Sequence, residues 1–163
     1  MSGGSQTAWS RSPPISARST EARPPREPVI VVHSLAHAIA ALRAAARAGR
    51  SVVLVSSPGA GSYVGPGWFR EVVAAAREAV PEASCSSLLD CSDDRGAALA
   101  ALRSEVEGIV FTGRADVSRR LADMASQYRV RFVTERPAPA LDLGDDFFAS
   151  PETLERCCAE LLS

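Results

Sequence analysis

The residues best suited to chemistry are Asp90, His33 and the loop Ser57-Pro58-Gly59-Ala60-Gly61-Ser62, joined by Ser34, Thr112 and Arg114. Asp90 closes an apolar run, where a carboxyl group can act as a general acid or contact a ligand. An aspartate there also serves as a helix cap or loop residue. His33 titrates near neutrality. His37 is expected to join it only if the following helix starts early, and surface or satisfied-core roles compete for both. Should the chain be an enzyme, Asp90 and His33 are the catalytic candidates; otherwise no residue is expected to be catalytic. In the loop, glycines let backbone amides approach an anion, and the N-terminus of the next helix favours negative charge. The loop lacks the lysine and spacing of a P-loop and does not read G-x-G-x-x-G, so an ordinary connection competes. Arg114 can clamp a phosphate or carboxylate, or stand solvated at a helix start. Ser57, His33 and Asp90 assemble a triad on paper only, since no G-x-S-x-G elbow is present. The candidate ligand set is Ser34, Ser57, Gly59, Gly61, Asp90, Thr112 and Arg114, and its chemistry suits a small anionic metabolite.

These residues fall where alternating elements would place them. Val29 to Val32 is a continuous apolar run, the mark of a parallel strand covered on both faces. Ser34 is the predicted cap of a helix with Leu35, Ile39, Leu42 and Ala46 on one face, closed by Gly49. Val52 to Val55 is a second strand, and a glycine-rich loop runs to Gly67. The next helix turns Phe69, Val72, Val73, Ala76 and Val80 inward and ends at Pro81. Ser84 to Leu89 is the third strand; Asp93 is expected to cap a helix bearing Leu99, Leu102 and Val106. Gly108 to Phe111 is the fourth. Val117, Leu121, Met124 and Tyr128 form a helical stripe. Val130 to Thr134 is the fifth strand, followed by a proline-rich turn and an acidic loop (Asp142, Asp145, Asp146). Ser150-Pro151-Glu152 starts the last helix. The pattern is five β-α units: an α/β fold with a mainly parallel sheet and right-handed crossovers. Ligands in such folds sit at the carboxyl ends of the strands.

Composition narrows the partners. The net charge of −1 gives no basic excess for nucleic acid or an anionic membrane. No stretch approaches the ~20 apolar residues of a membrane span, and no signal-peptide pattern is present, so the cytoplasm is the expected compartment. Residues 1–27, rich in Ser, Pro, Arg and Gly, are predicted to be a disordered tail, and 28–163 a single domain. Cys85, Cys91, Cys157 and Cys158 lack metal-ligand spacing. Cys85 and Cys91 on one strand lie ~20 Å apart, too far for a disulfide. They are read as buried or idle thiols, and no metal or cofactor is assigned.

Val52-Val53-Leu54-Val55-Ser56-Ser57-Pro58-Gly59-Ala60, followed by Tyr63-Val64-Gly65, resembles the second strand and loop of class II fructose-bisphosphate aldolases, which read like P-V-I-L-Q-x-S-P-G-A-x-x-Y-x-G. Leu88-Leu89-Asp90-Cys91 falls where that family has H-L-D-H. Gly108 to Gly113 falls where it has a strand ending in D-G-S, and Ser34-Leu35 where it has an N-N-L-E helix start. The resemblance covers roughly residues 30–115, the N-terminal half of the family. It implies a TIM-barrel-related fold and zinc-assisted enediolate chemistry. The metal ligands are missing: Cys91 stands at the metal-binding histidine and Leu88 at the first histidine, while Asp90 keeps the proton-donor position. A catalytic zinc needs about three protein ligands, so aldolase activity is not expected. Five units do not close an eight-stranded barrel. The sheet is therefore part of a barrel or rearranged to an open doubly wound sheet. The open sheet is favoured, with its bare edges covered in a homodimer. The expected function is a noncatalytic, degenerate aldolase-like domain binding a small anionic metabolite or a protein partner. The alternative is a small lyase or isomerase acting on a phosphorylated or carboxylated metabolite.

Overall fold

The computed structural model describes residues 26–163. The predicted tail therefore lies outside the described residues, apart from Arg26 and Glu27. The strands are β1 (Val29–Val32), β2 (Val52–Ser56), β3 (Cys85–Asp90), β4 (Gly108–Val110), β5 (Arg131–Val133) and β6 (Leu141–Asp142). The helices are α1 (Leu35–Ala48), α2 (Ala60–Tyr63), α3 (Pro66–Ala79), α4 (Arg95–Leu102), α5 (Ala115–Tyr128) and α6 (Pro151–Leu162). All neighbouring strands pair in parallel, in the order β5-β4-β3-β2-β1-β6.

That order chooses between the two arrangements left open by the alternation. β1 to β5 advance in one direction with no reversal, so right-handed crossovers place their helices on the same side. A doubly wound sheet would reverse and cover both sides. The core agrees. Ile30, Val32, Val52, Leu54, Leu89, Ile109 and Phe111 cluster with the helical residues. Val53, Val55, Leu88 and Val110, which point the other way along the pleat, form a separate cluster without any helical residue. The sheet is open and singly wound, like a segment of a barrel, and the favoured doubly wound alternative is set aside.

The connection from β5 to β6 has to cross the whole sheet, because these strands are its two edges. Five inter-strand steps of about 4.8 Å make ~24 Å, and the chain from Val133 to Leu141, fully extended, reaches ~26 Å. The chain bends at Thr134, Glu135 and Ala140 and is free of bends between them, where Pro137 and Pro139 suit an extended run. Among the described residues, this strap is what the second side of the sheet receives in place of a helix layer.

Local signals explain most boundaries. Ser34, Asp94 and Ser150 cap α1, α4 and α6 with their side chains, and Gly49 ends α1 in the left-handed conformation at φ 61°. The expected cap Asp93 is displaced by Asp94, whose carboxylate takes the Ala97 N–H at 3.0 Å. Val106 lies beyond α4 but is still buried. Leu35 and Tyr128, both expected inward, are 39% and 50% exposed, because each ends its helix beyond the reach of the sheet.

Candidate functional site

The site is built where β2 and β3 end side by side. Asp90, the last residue of β3, shares the face of Leu88 and is 3% exposed. Its Oδ1 accepts from the backbone N–H of Gly59 at 2.9 Å and of Ser92 at 2.8 Å. Its Oδ2 accepts from Arg136 Nη1 at 2.5 Å, and Arg136 Nη2 donates to the Ser56 carbonyl at 2.8 Å. Ser56 Oγ accepts from the Asp90 N–H at 2.9 Å, tying the two strand ends together. Both oxygens of Asp90 are acceptors, the pattern of an ion-pair partner and not of a proton donor.

Gly59 reaches Asp90 because it adopts φ 69°, a conformation glycine enters freely. Gly61 lies against β3, where a Cβ would stand 2.9 Å from Cys91 Sγ. Its role is this close approach. Ser57 Oγ is engaged by the Tyr63 hydroxyl. The loop expected to cradle an anion thus turns its amide toward a carboxylate of the same chain.

The other candidates stand apart. Ser34 caps α1, its Oγ accepting from the His37 N–H at 3.2 Å. His33 Nε2 meets Asp142 Oδ1 at 2.7 Å, on the β6 side of the sheet. The two histidines do come together although α1 starts at Leu35: the His33 N–H donates to His37 Nδ1 at 3.2 Å. This corrects the expectation that contact needs an early helix start. Thr112 and Arg114 line an open cleft of ≈ 640 Å³ with Asp93, Asp94 and Arg95. There Arg114 Nε donates to Asp116 at 3.1 Å. His33 and Asp90 bond to different partners, Asp142 and Arg136, and no hydrogen bond joins them.

The zinc that the resemblance implies does not fit these residues. Cys91 points toward the helices, away from Asp90, and is fully buried. Burial, with Asp90 and Asp94 adding, pushes its thiol up to about 12, far from the thiolate a metal needs. Leu88 offers no donor, and among the described residues no group of three His, Cys, Asp or Glu side chains could hold a metal ion.

Arg136 is picked out with Glu135 by the strand-end rule, since it lies just past β5, but does not enter the candidate ligand set. Nothing local says that the strap returns it to β2 and β3. A second feature also went unseen. Leu35 follows β1, Tyr63 and Val64 follow β2, and Phe147 and Phe148 follow β6, and these three strands are neighbours. The rim above them exposes Tyr63 at 64% and Phe148 at 96%.

No family model matches the chain, and no curated protein matches it. Its fold is similar to the crystal structure of a candidate fructose-1,6-biphosphate aldolase from Coccidioides immitis, with a TM-score of 0.55 and 18% identity. The match covers 65% of this chain and 39% of that one, so the shared part spans about two fifths of the larger protein. At this identity the likeness concerns the fold alone: an aldolase-like, TIM-barrel-related α/β architecture.

Proposed function

We propose that this chain is a noncatalytic domain of aldolase-like fold that holds a protein partner on the carboxyl-end rim of its sheet. The observation that carries the reading is Arg136, seated on Asp90 and on the Ser56 carbonyl. Parallel sheets receive their ligands at this position, and here a guanidinium of the same chain fills it. The alternative lyase or isomerase would need Asp90 free to move a proton. The apolar rim supplies the second support. Burying an exposed phenylalanine such as Phe148 is worth roughly 1.5–3 kcal/mol, and aromatic anchors dominate binding surfaces. A second copy of this chain is the partner favoured by β5 and β6, the outer strands of the sheet, whose outer edges pair with no strand among the described residues.

The test is sedimentation of the full chain beside Phe148→Asp and Tyr63→Asp. The reading expects association of the wild type and a folded, dissociated monomer for the variants. A wild type that stays monomeric at high concentration removes the second copy from the reading. One observation favours a second reading, a small anionic metabolite in the Thr112–Arg114 cleft: α5 begins there without a side-chain cap. Thermal stabilisation by a sugar phosphate or small carboxylate, lost in Arg114→Ala but kept in Asp90→Ala, would favour that reading.

A further inference from the structure

His37 is fully buried at the start of α1, beneath the loop that joins β6 to α6. It occupies the third helical position, where a capping box carries Glu or Gln. Its Nδ1 plays that acceptor's part, one residue displaced, by taking the His33 N–H at 3.2 Å. An accepting Nδ1 is unprotonated, so the neutral ring carries its proton on Nε2. That atom is buried and makes no hydrogen bond of ordinary length, although the Phe147 backbone lies near enough to favour the charged ring. The Phe147 ring lies over the imidazole, edge to face, with centroids 5.4 Å apart.

The loop is fastened beside this ring. Asp142 Oδ1 accepts from both His33 Nε2, at 2.7 Å, and the Gly144 N–H, at 2.9 Å. Gly144 is pressed so closely on the pair that a Cβ there would stand 2.7 Å from His33 Nε2. The Leu143 N–H holds Val31 O at 3.1 Å.

We propose that His33 and His37 form a proton-operated latch on residues 143–149, closed at neutral pH and opened in mild acid. The proton comes from solvent and goes to Nδ1 of His37. It turns an acceptor into a donor facing the His33 N–H, so the bond that seats the ring is lost. The buried cation then faces the His33 N–H with a second donor, and its other nitrogen has only the Phe147 backbone nearby, outside hydrogen-bond length, to offset the burial. Lifting the Phe147 side of the loop admits water and ends the conflict. The charged and titratable groups acting on His37 are His33 from the end of β1, Asp142 from β6 and Asp146 from the loop. Burial, followed by His33, lowers its titration from the ordinary 6.5, and the Phe147 backbone, Asp142 and Asp146 oppose this only in part. The latch goes beyond the partner reading and does not depend on it.

The test is amide hydrogen exchange of the full chain between neutral pH and about pH 5, corrected for the intrinsic pH dependence of exchange. His37→Gln is the informative variant, because its amide oxygen can take the His33 N–H but cannot titrate. The wild type should lose roughly tenfold protection at Leu143, Asp146 and Ala149 on acidification, while His37→Gln stays flat. Gly144→Ala should lose protection already at neutral pH. Equal pH profiles for wild type and His37→Gln would overturn the proposal. Should His37→Gln not fold, the imidazole signals of the wild type decide: titration of His37 at or above 6.5 overturns it, and titration below 6.5 together with loss of the Leu143 amide supports it.

Discussion

Replacing Arg136 by alanine tests what the strap does. The substitution leaves the Asp90 carboxylate, 3% exposed, with two backbone N–H donors and no cation, and strips the Ser56 carbonyl of its donor. Removing one member of a buried pair costs roughly 3–5 kcal/mol. The Arg136 side chain keeps 22% exposure, so water screens part of the loss and the lower end, about 3 kcal/mol, is expected. A domain of this size loses about 3–4 °C of Tm per kcal/mol, which makes a fall of about 10 °C. Urea unfolding gives the free energy directly, and an unchanged m-value shows that the fold is retained. Asp90→Asn adds a control. It keeps an oxygen for Gly59 and Ser92 while removing the charge, so Asp90→Asn with Arg136→Ala should cost clearly less than the sum of the two. A loss below about 1 kcal/mol for Arg136→Ala would refute the reasoning, since that is the worth of an exposed pair.

Other consequences are independent of that pair. Because the titration of His37 is lowered on folding, the unfolded chain takes the proton first; stability should hold above 6.5 and decline as pH falls below it, and His37→Gln should remove that slope in pH-dependent urea unfolding. Burial raises the Asp142 carboxyl, but Gly144, His33 and Arg136 outweigh it and leave it below 3.8, so its contribution should persist to that pH and vanish only in stronger acid. Gly59→Ala has room for its methyl but must hold φ 69°, and should lose about 1–2 kcal/mol by urea unfolding. Phe148→Asp should change stability by no more than about 0.5 kcal/mol at concentrations where the wild type is monomeric, because the side chain of the single chain is almost wholly in solvent. Cys91, with its thiol at about 12 and no exposure, should resist alkylation in the native state and react on unfolding.

The fold was legible where local rules decide it. Apolar runs gave β1, β2 and β4 within a residue or two. Ser34, Gly49, Pro66 and Ser150 marked helix ends as their chemistry requires. β6 was not legible: it has two residues, and its pairing with β1 depends on a chain reversal across the whole sheet. Asp90 and Gly59 were legible as a neighbouring pair of strand ends, but their relation was not. Glycine and aspartate types suit an anion site, yet here the amide of one is spent on the carboxylate of the other. What decides between these outcomes is Arg136, brought back by the strap from 46 residues away. The rim was not legible for a similar reason, since Phe148 comes to the same end of the sheet as Tyr63 only once β6 joins it beside β1.

The central claim is that Arg136 holds the place a ligand would take. Calorimetric titration of fructose bisphosphate, with and without zinc, into the full wild-type chain tests it most directly. The account predicts no binding heat. Saturable binding by the wild type that Asp90→Ala abolishes would contradict it.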